Sequence, residues 1–153
     1  MQYIYLHGFA SSPGSTKAVD LRDRFLSCNI SLAVPDLNQD DFSHLTISRQ
    51  ITQVEALFPL DNTPVTLIGS SLGGLTSAFI AQRHSQVQRL VLLAPAFGFL
   101  THWLPQLEEE QLHQWQLSGY LPIYHYGEMR SLPLHYKFVE DAHQYQQTQL
   151  VRC

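Results

Sequence analysis

The most constraining feature is the passage Val65-Thr66-Leu67-Ile68 running into Gly69-Ser70-Ser71-Leu72-Gly73-Gly74. An apolar run too short for a helix is followed by glycines on either side of a serine. Leu72, Leu75, Phe79 and Ile80 then recur at helical spacing. The order predicted is strand, sharp turn, helix. Other apolar runs repeat the habit. Tyr3-Ile4-Tyr5-Leu6 meets His7-Gly8, Leu90-Val91-Leu92-Leu93 meets Ala94-Pro95, and a weaker Leu32-Ala33-Val34 stops at Pro35-Asp36. Little alternation marks them as strands buried on both faces. Ser15 can cap a helix carrying Ala18, Leu21 and Phe25. Thr46 can cap one carrying Ile47, Ile51, Val54 and Phe58, stopped by Pro59. Strands alternating with helices predict an α/β domain, a mostly parallel sheet and right-handed crossovers.

The pattern changes after Pro95. Residues 99–135 hold both tryptophans and no convincing buried strand, and they read as a cap or lid insertion over the end of the sheet. Leu104, Leu107, Leu112 and Trp115 suit a short helix whose wet face is Glu108-Glu109-Glu110. A last helix is predicted over about His135 to Leu150. The 153 residues amount to one domain, large enough to bury a core. With 44% hydrophobic and 14% charged residues the chain is no disordered tail. A net charge of −4 with scattered lysines and arginines argues against nucleic acid. No apolar run approaches a membrane span, and the N-terminus lacks a signal-peptide pattern, so a cytoplasmic location is the default expectation. Cys28 and Cys153 fit neither a disulfide framework nor a metal spacing. No cofactor or metal is expected.

Gly69-Ser70-Ser71-Leu72-Gly73 matches G-x-S-x-G in the context that gives the motif meaning. A strand-to-helix turn of this kind holds the serine backbone in a strained, positive-φ conformation and exposes its hydroxyl. Small residues two before and two after it let backbone approach. The helix start leaves free N–H groups beside Ser71, which suits a developing oxyanion. A phosphate-binding turn is the competing use, but the lysine of a P-loop and the third glycine of a dinucleotide loop are missing. Ser71 is therefore the candidate nucleophile, and the Phe9 backbone N–H, after the first strand, is a natural oxyanion donor. His7 reads as a histidine satisfied locally rather than as the base. Ser11 and Ser12 suit a turn before Pro13-Gly14.

Tyr5-Leu6-His7-Gly8-Phe9-Ala10-Ser11-Ser12-Pro13, Val34-Pro35-Asp36-Leu37-Asn38, Leu67-Ile68-Gly69-Ser70-Ser71-Leu72-Gly73-Gly74 and Leu92-Leu93-Ala94-Pro95-Ala96 together resemble the small bacterial YqiA-like esterases of the α/β-hydrolase superfamily. The resemblance extends over the whole chain. It implies a three-layer α/β-hydrolase core and a serine esterase or thioesterase acting on small-molecule acyl esters or thioesters without a cofactor. It also implies Ser71 as nucleophile, with the Phe9 and Leu72 backbones as oxyanion donors. Enzymes of this kind follow their last helix with strands and loops that carry the acid and the histidine. Here the residues stop at Leu150-Val151-Arg152-Cys153. The expectation is an incomplete single domain over 1–153, lacking the C-terminal strands, with acid and base beyond residue 153. The strand ending at Leu93 would then be a bare edge open to self-association.

Within the chain, Asp141 and His143 sit two apart on a predicted helix and face apart, so surface or cap roles are expected. His84 closes the helix of the nucleophile. His125, between Tyr124 and Tyr126, is the best in-chain candidate for a site contact. A non-catalytic binding protein of the same fold, an inactive fragment, or a hydrolase of carbon–carbon or amide bonds are the rival readings.

Overall fold

A computed structural model of the chain describes residues 1–146 and 150. Strands β1 (Gln2–Leu6), β2 (Leu32–Ala33), β3 (Val65–Ser70) and β4 (Val87–Leu93) form one sheet in the order β2-β1-β3-β4. All neighbours are parallel. Ile4 lies opposite Leu67, Leu6 opposite Gly69 and Ser70 opposite Leu93, so β1, β3 and β4 end together. Every residue of β3 is buried, as befits a central parallel strand.

Helix α1 (Thr16–Ser27) starts where the Ser15 hydroxyl accepts the Ala18 N–H. It covers one face of the sheet, packing Ala18 against Tyr5, Leu32 and Ile68. Helix α2 (Ile47–Glu55) is capped by Thr46, and α3 (Leu72–Arg83) follows β3. These two occupy the other face with the larger core around Ile4, Leu6, Val65 and Leu67. Three layers result, which is the architecture that the alternation of elements predicts. Among the described residues, no helix is long and apolar enough to cross a membrane.

Residues 99–135 depart from expectation. The single short helix is divided into α4 (Phe99–Trp103), a 3-10 turn over Leu104–Gln106 and α5 (Glu109–Ser118). Pro105 falls at the start of the 3-10 turn, where it cannot continue α4. Glu108, Glu109 and Glu110 are exposed, as expected. An antiparallel hairpin then appears where no convincing strand is legible: β5 (Tyr120–His125) and β6 (Arg130–His135). Pro122 and Pro133 argue against strands by sequence, yet they face each other in register. In a two-stranded ladder each strand is an edge. A facing pair whose N–H positions point outward loses no ladder bond to proline.

The predicted final helix is also shorter. His135 ends β6, and α6 runs only Lys137–Ala142. Phe138, Val139 and Ala142 of α6 are buried against the rest. Residues 147–149 of the expectation lie outside the described residues.

Strand β4 reads from its apolar run as buried on both faces, but it is the sheet edge expected of the strand ending at Leu93. Leu90 is 37% exposed and Val91 44% exposed. A parallel strand needs cover on both faces and a neighbour on each side. Among the described residues β4 has only β3. An apolar edge with free N–H and C=O groups is a template for pairing with another chain. The 153-residue chain should therefore self-associate in a concentration-dependent way, and Val91→Lys should suppress it. Sedimentation velocity of both proteins checks this; a wild-type monomer at all concentrations contradicts it.

Candidate active site

The site is built where β3 gives way to α3. Ser71 lies between them at φ 52°, ψ −119°, the positive φ that the glycine spacing predicts. A non-glycine residue there carries roughly 1–3 kcal/mol of strain. Its own backbone bonds hold it. The Ser71 N–H donates to the Leu93 carbonyl at 3.1 Å, and the Ser71 carbonyl accepts from Gly74, Leu75 and Ala96. Serine before a helix ordinarily spends its hydroxyl capping the first turn. Here it makes no capping bond, and the residue is exposed.

The strain is not isolated. Ala10 (φ 53°) and Ala94 (φ 47°) also have positive φ, in the loops after β1 and β4. Strained residues thus gather at the carboxyl ends of adjacent parallel strands, where ligands of open α/β sheets bind.

The glycines are required by contact. A Cβ at Gly73 would lie 2.2 Å from the Leu6 carbonyl oxygen and 2.5 Å from that of His7. One at Gly69 would lie 2.4 Å from the Gly73 oxygen. A Cβ at Gly8 would stand 3.4 Å from the Ser71 Cβ, so the Gly8–Phe9 peptide runs beside the serine. Neither the Phe9 N–H nor the Leu72 N–H meets a carbonyl or side-chain acceptor among the described residues. Both remain free to bind an oxygen.

His7 orients one of these donors. It is 1% exposed, its Nε2 accepts the Leu37 N–H at 3.0 Å, and its Nδ1 therefore carries the proton given to the Gly8 carbonyl at 2.9 Å. In a planar trans peptide the C=O and the following N–H point opposite ways. Fixing the Gly8 carbonyl thus fixes the direction of the Phe9 N–H. Burial pushes the His7 pKa down, opposed by the Gly8 carbonyl and by Asp36, whose carboxylate lies 3.7 Å away. The histidine is neutral and spent on structure, as the sequence suggests.

No histidine or carboxylate hydrogen-bonds the Ser71 hydroxyl among the described residues. His84 pairs with Glu55 at 2.7 Å, but it sits at the far end of α3. That is about 20 Å from Ser71 at ~1.5 Å per residue. The Asp141 carboxylate accepts from the Ser48 N–H and hydroxyl, tying α6 to the first turn of α2. His143 caps α6. His125 is buried edge-on against Phe42, with its Nδ1 accepting the Glu128 N–H at 3.1 Å. Burial lowers its pKa, against the pull of Glu128 and Asp36. It contacts the polar pocket of Ser12, Asp36 and Asn38 rather than Ser71. No cluster of three metal-ligating side chains occurs among the described residues.

Two features escape the sequence. Phe9 is the hub of an aromatic cluster, its ring centroid 5.6 Å from Phe99, 5.4 Å from Trp103 and 5.3 Å from Phe138. Lys17, on α1, donates to the Ser70 hydroxyl at 2.9 Å. No periodicity or spacing marks either, because each joins segments far apart in the chain.

Gly73→Ala should fail to close the turn and destabilise the fold by at least the ~1–3 kcal/mol of an overpacked core. Gly14→Ala, whose nearest obstacle is a side-chain oxygen at 3.6 Å, should be tolerated. Urea unfolding of the two variants separates them. A second expectation concerns pH. His7 and His125 have lowered pKa values when folded, so below about pH 6.5 the unfolded chain takes up protons first. Their stabilising contribution is complete above that pH and is lost as pH falls. The urea midpoint should drop between about pH 7.5 and about pH 5.5, and His7→Gln should shrink the drop.

Solved structures share the fold. A candidate hydrolase from Agrobacterium vitis S4 superposes with a TM-score of 0.77 at 22% identity, over 95% of this chain and 61% of that one. Mouse alpha/beta hydrolase domain-containing protein 10 gives 0.70 at 22% identity, over 95% and 61%. Est1E from Butyrivibrio proteoclasticus, solved with ferulic acid bound, gives 0.72 at 18% identity, over 94% and 60%. These likenesses show the α/β-hydrolase fold. The chain spans about three-fifths of the length of each of these proteins. No curated protein matches it significantly. The model of the uncharacterised protein family UPF0227 matches residues 2–152, and the chain belongs to that YqiA-like family.

Proposed function

We propose that this chain carries the nucleophile and oxyanion hole of a serine hydrolase acting on carboxylic esters or thioesters. The observation that carries the reading is the free hydroxyl of Ser71, held at positive φ beside two uncommitted backbone N–H groups. In the proposed reaction the Ser71 Oγ attacks the acyl carbonyl and its proton passes to a histidine. The Phe9 and Leu72 N–H groups receive the oxyanion. The alcohol or thiol leaves with the proton, and water then releases the acid from the acylated serine. Removing one such donor elsewhere costs roughly 10²–10³ in turnover, which is the scale expected of each amide here.

The described residues offer Ser71 no base. The reading therefore takes the histidine and its acid to come from outside the described residues; the chain spans about three-fifths of the related structures. Phe99 and Trp103, half-buried beside Phe9, favour an apolar or aromatic acyl group. The aromatic acid bound by Est1E is consistent with that choice.

The 153-residue chain should hydrolyse p-nitrophenyl acetate feebly, at most the ~10³-fold over water that survives loss of triad members. A fluorophosphonate probe should label Ser71 slowly, and Ser71→Ala should abolish both signals, as read by absorbance and by mass spectrometry. Absence of labelling supports the non-catalytic alternative. Full turnover that is lost in His125→Ala would place the base within the chain.

A further inference from the structure

Lys17 occupies an electrostatically adverse position. It lies in the first turn of α1, where the positive end of the helix dipole disfavours a cation. Among the described residues no carboxylate pairs with it; the acids near it in sequence serve Arg24 and Arg22 instead. Its ammonium goes to the Ser70 hydroxyl, 2.9 Å away. Ser70 is buried, is also faced by the Tyr5 hydroxyl, and is the residue immediately before Ser71. A placement that breaks a local rule and is matched by one specific contact marks a functional constraint.

The constraint follows from how the oxyanion hole is divided. The Leu72 N–H belongs to the β3–α3 turn, whereas the Phe9 N–H belongs to the loop between β1 and α1. That loop is held at three points, one within itself and two by other parts of the molecule. His7 holds the Gly8 carbonyl, the Tyr126 N–H holds that of Ala10, and the Asn38 side chain holds that of Ser11. None of these three reaches the nucleophile turn. Among the described residues, the side-chain hydrogen bond that joins the start of α1, where the loop ends, to the end of β3, where the turn begins, is Lys17 to Ser70. Donors of this kind must keep their geometry within about 0.5 Å, and a 1 Å misplacement can cost about 10²-fold in rate.

We propose that Lys17 is a positioning residue, locking the loop that carries the Phe9 N–H to the turn that carries Ser71 and the Leu72 N–H. The lock itself is independent of the reaction; its catalytic consequence rests on Ser71 being the nucleophile. An ammonium donor on a flexible stem spans the gap and supplies charge to the hydrogen bond.

Two measurements test it on Lys17→Met, Lys17→Arg and Ser70→Ala. Hydrogen exchange of the Ser15 and Tyr126 amides, which donate to the Ser12 and Ala10 carbonyls of the loop, reads the lock without any chemistry. Lys17→Met and Ser70→Ala should each speed exchange there about tenfold, the scale of one hydrogen bond to a charged group. The double variant should add nothing, Lys17→Arg should stay near wild type, and the urea midpoint should fall by no more than that one bond is worth. The second-order rate of Ser71 labelling by a fluorophosphonate reads the consequence. It should fall about tenfold in Lys17→Met and recover in Lys17→Arg. Unchanged exchange overturns the lock. Faster exchange with an unchanged labelling rate overturns the positioning role. A wild type that never labels refutes the nucleophile reading, and with it the catalytic consequence, while faster exchange in the variants still establishes the lock.

Discussion

The candidate site depends on how closely the start of α3 approaches the end of β1. Gly73 packs its backbone directly against the Leu6 and His7 carbonyls, with no room for a methyl group between them. Gly69 and Gly73 then close on each other across the turn. Only this proximity brings the Leu72 N–H, on one segment, to the Gly8–Phe9 peptide on another. Interiors at crystalline density do not stretch to admit an extra carbon, so the spacing of three structural elements rests on the absence of side chains. The strain at Ser71 persists because the turn's hydrogen bonds to Leu93, Gly74, Leu75 and Ala96 leave the backbone no alternative.

The residues after β4 extend the same constraint upward. Phe9 inserts its ring among Phe42, Phe99, Trp103 and Phe138, so the segment bearing the uncommitted Phe9 N–H is anchored by the elements above the sheet. Trp115, fully buried, donates its indole N–H to the Leu134 carbonyl and joins α5 to β6. The hairpin in turn meets the Phe9 loop through Tyr126 and Ala10, and Gly127 closes on Ser12. The cluster thus combines apolar burial with aromatic edge contacts, each worth on the order of 1 kcal/mol beyond area alone.

What was legible follows periodicity and turn chemistry. The β1, β3 and β4 runs, the caps at Ser15 and Thr46, and the strained Ser71 all come from patterns a few residues long. The β5–β6 hairpin was not legible because its prolines hide in outward-facing positions that exist only once the strands pair. The exposure of Leu90 and Val91 agrees with the bare edge expected of that strand, although a run of Leu and Val by itself reports only that a strand wants cover, not whether cover is there. Burial of His125 is likewise a product of packing against Phe42, not of its tyrosine neighbours.

By itself the sequence determined the parallel α/β order, the strand-turn-helix that strains Ser71, and the need for glycine on both sides of it. These are consequences of local sterics and of hydrophobic spacing, which act within one or two turns of chain. Tertiary structure alone decided which backbone N–H groups stay uncommitted beside Ser71, and that His7 serves the Gly8 carbonyl. It also decided that Lys17 reaches Ser70, 53 positions further along the chain. Such choices are made by groups distant in the chain competing for the same few donors and acceptors, and only the folded packing settles which of them meet.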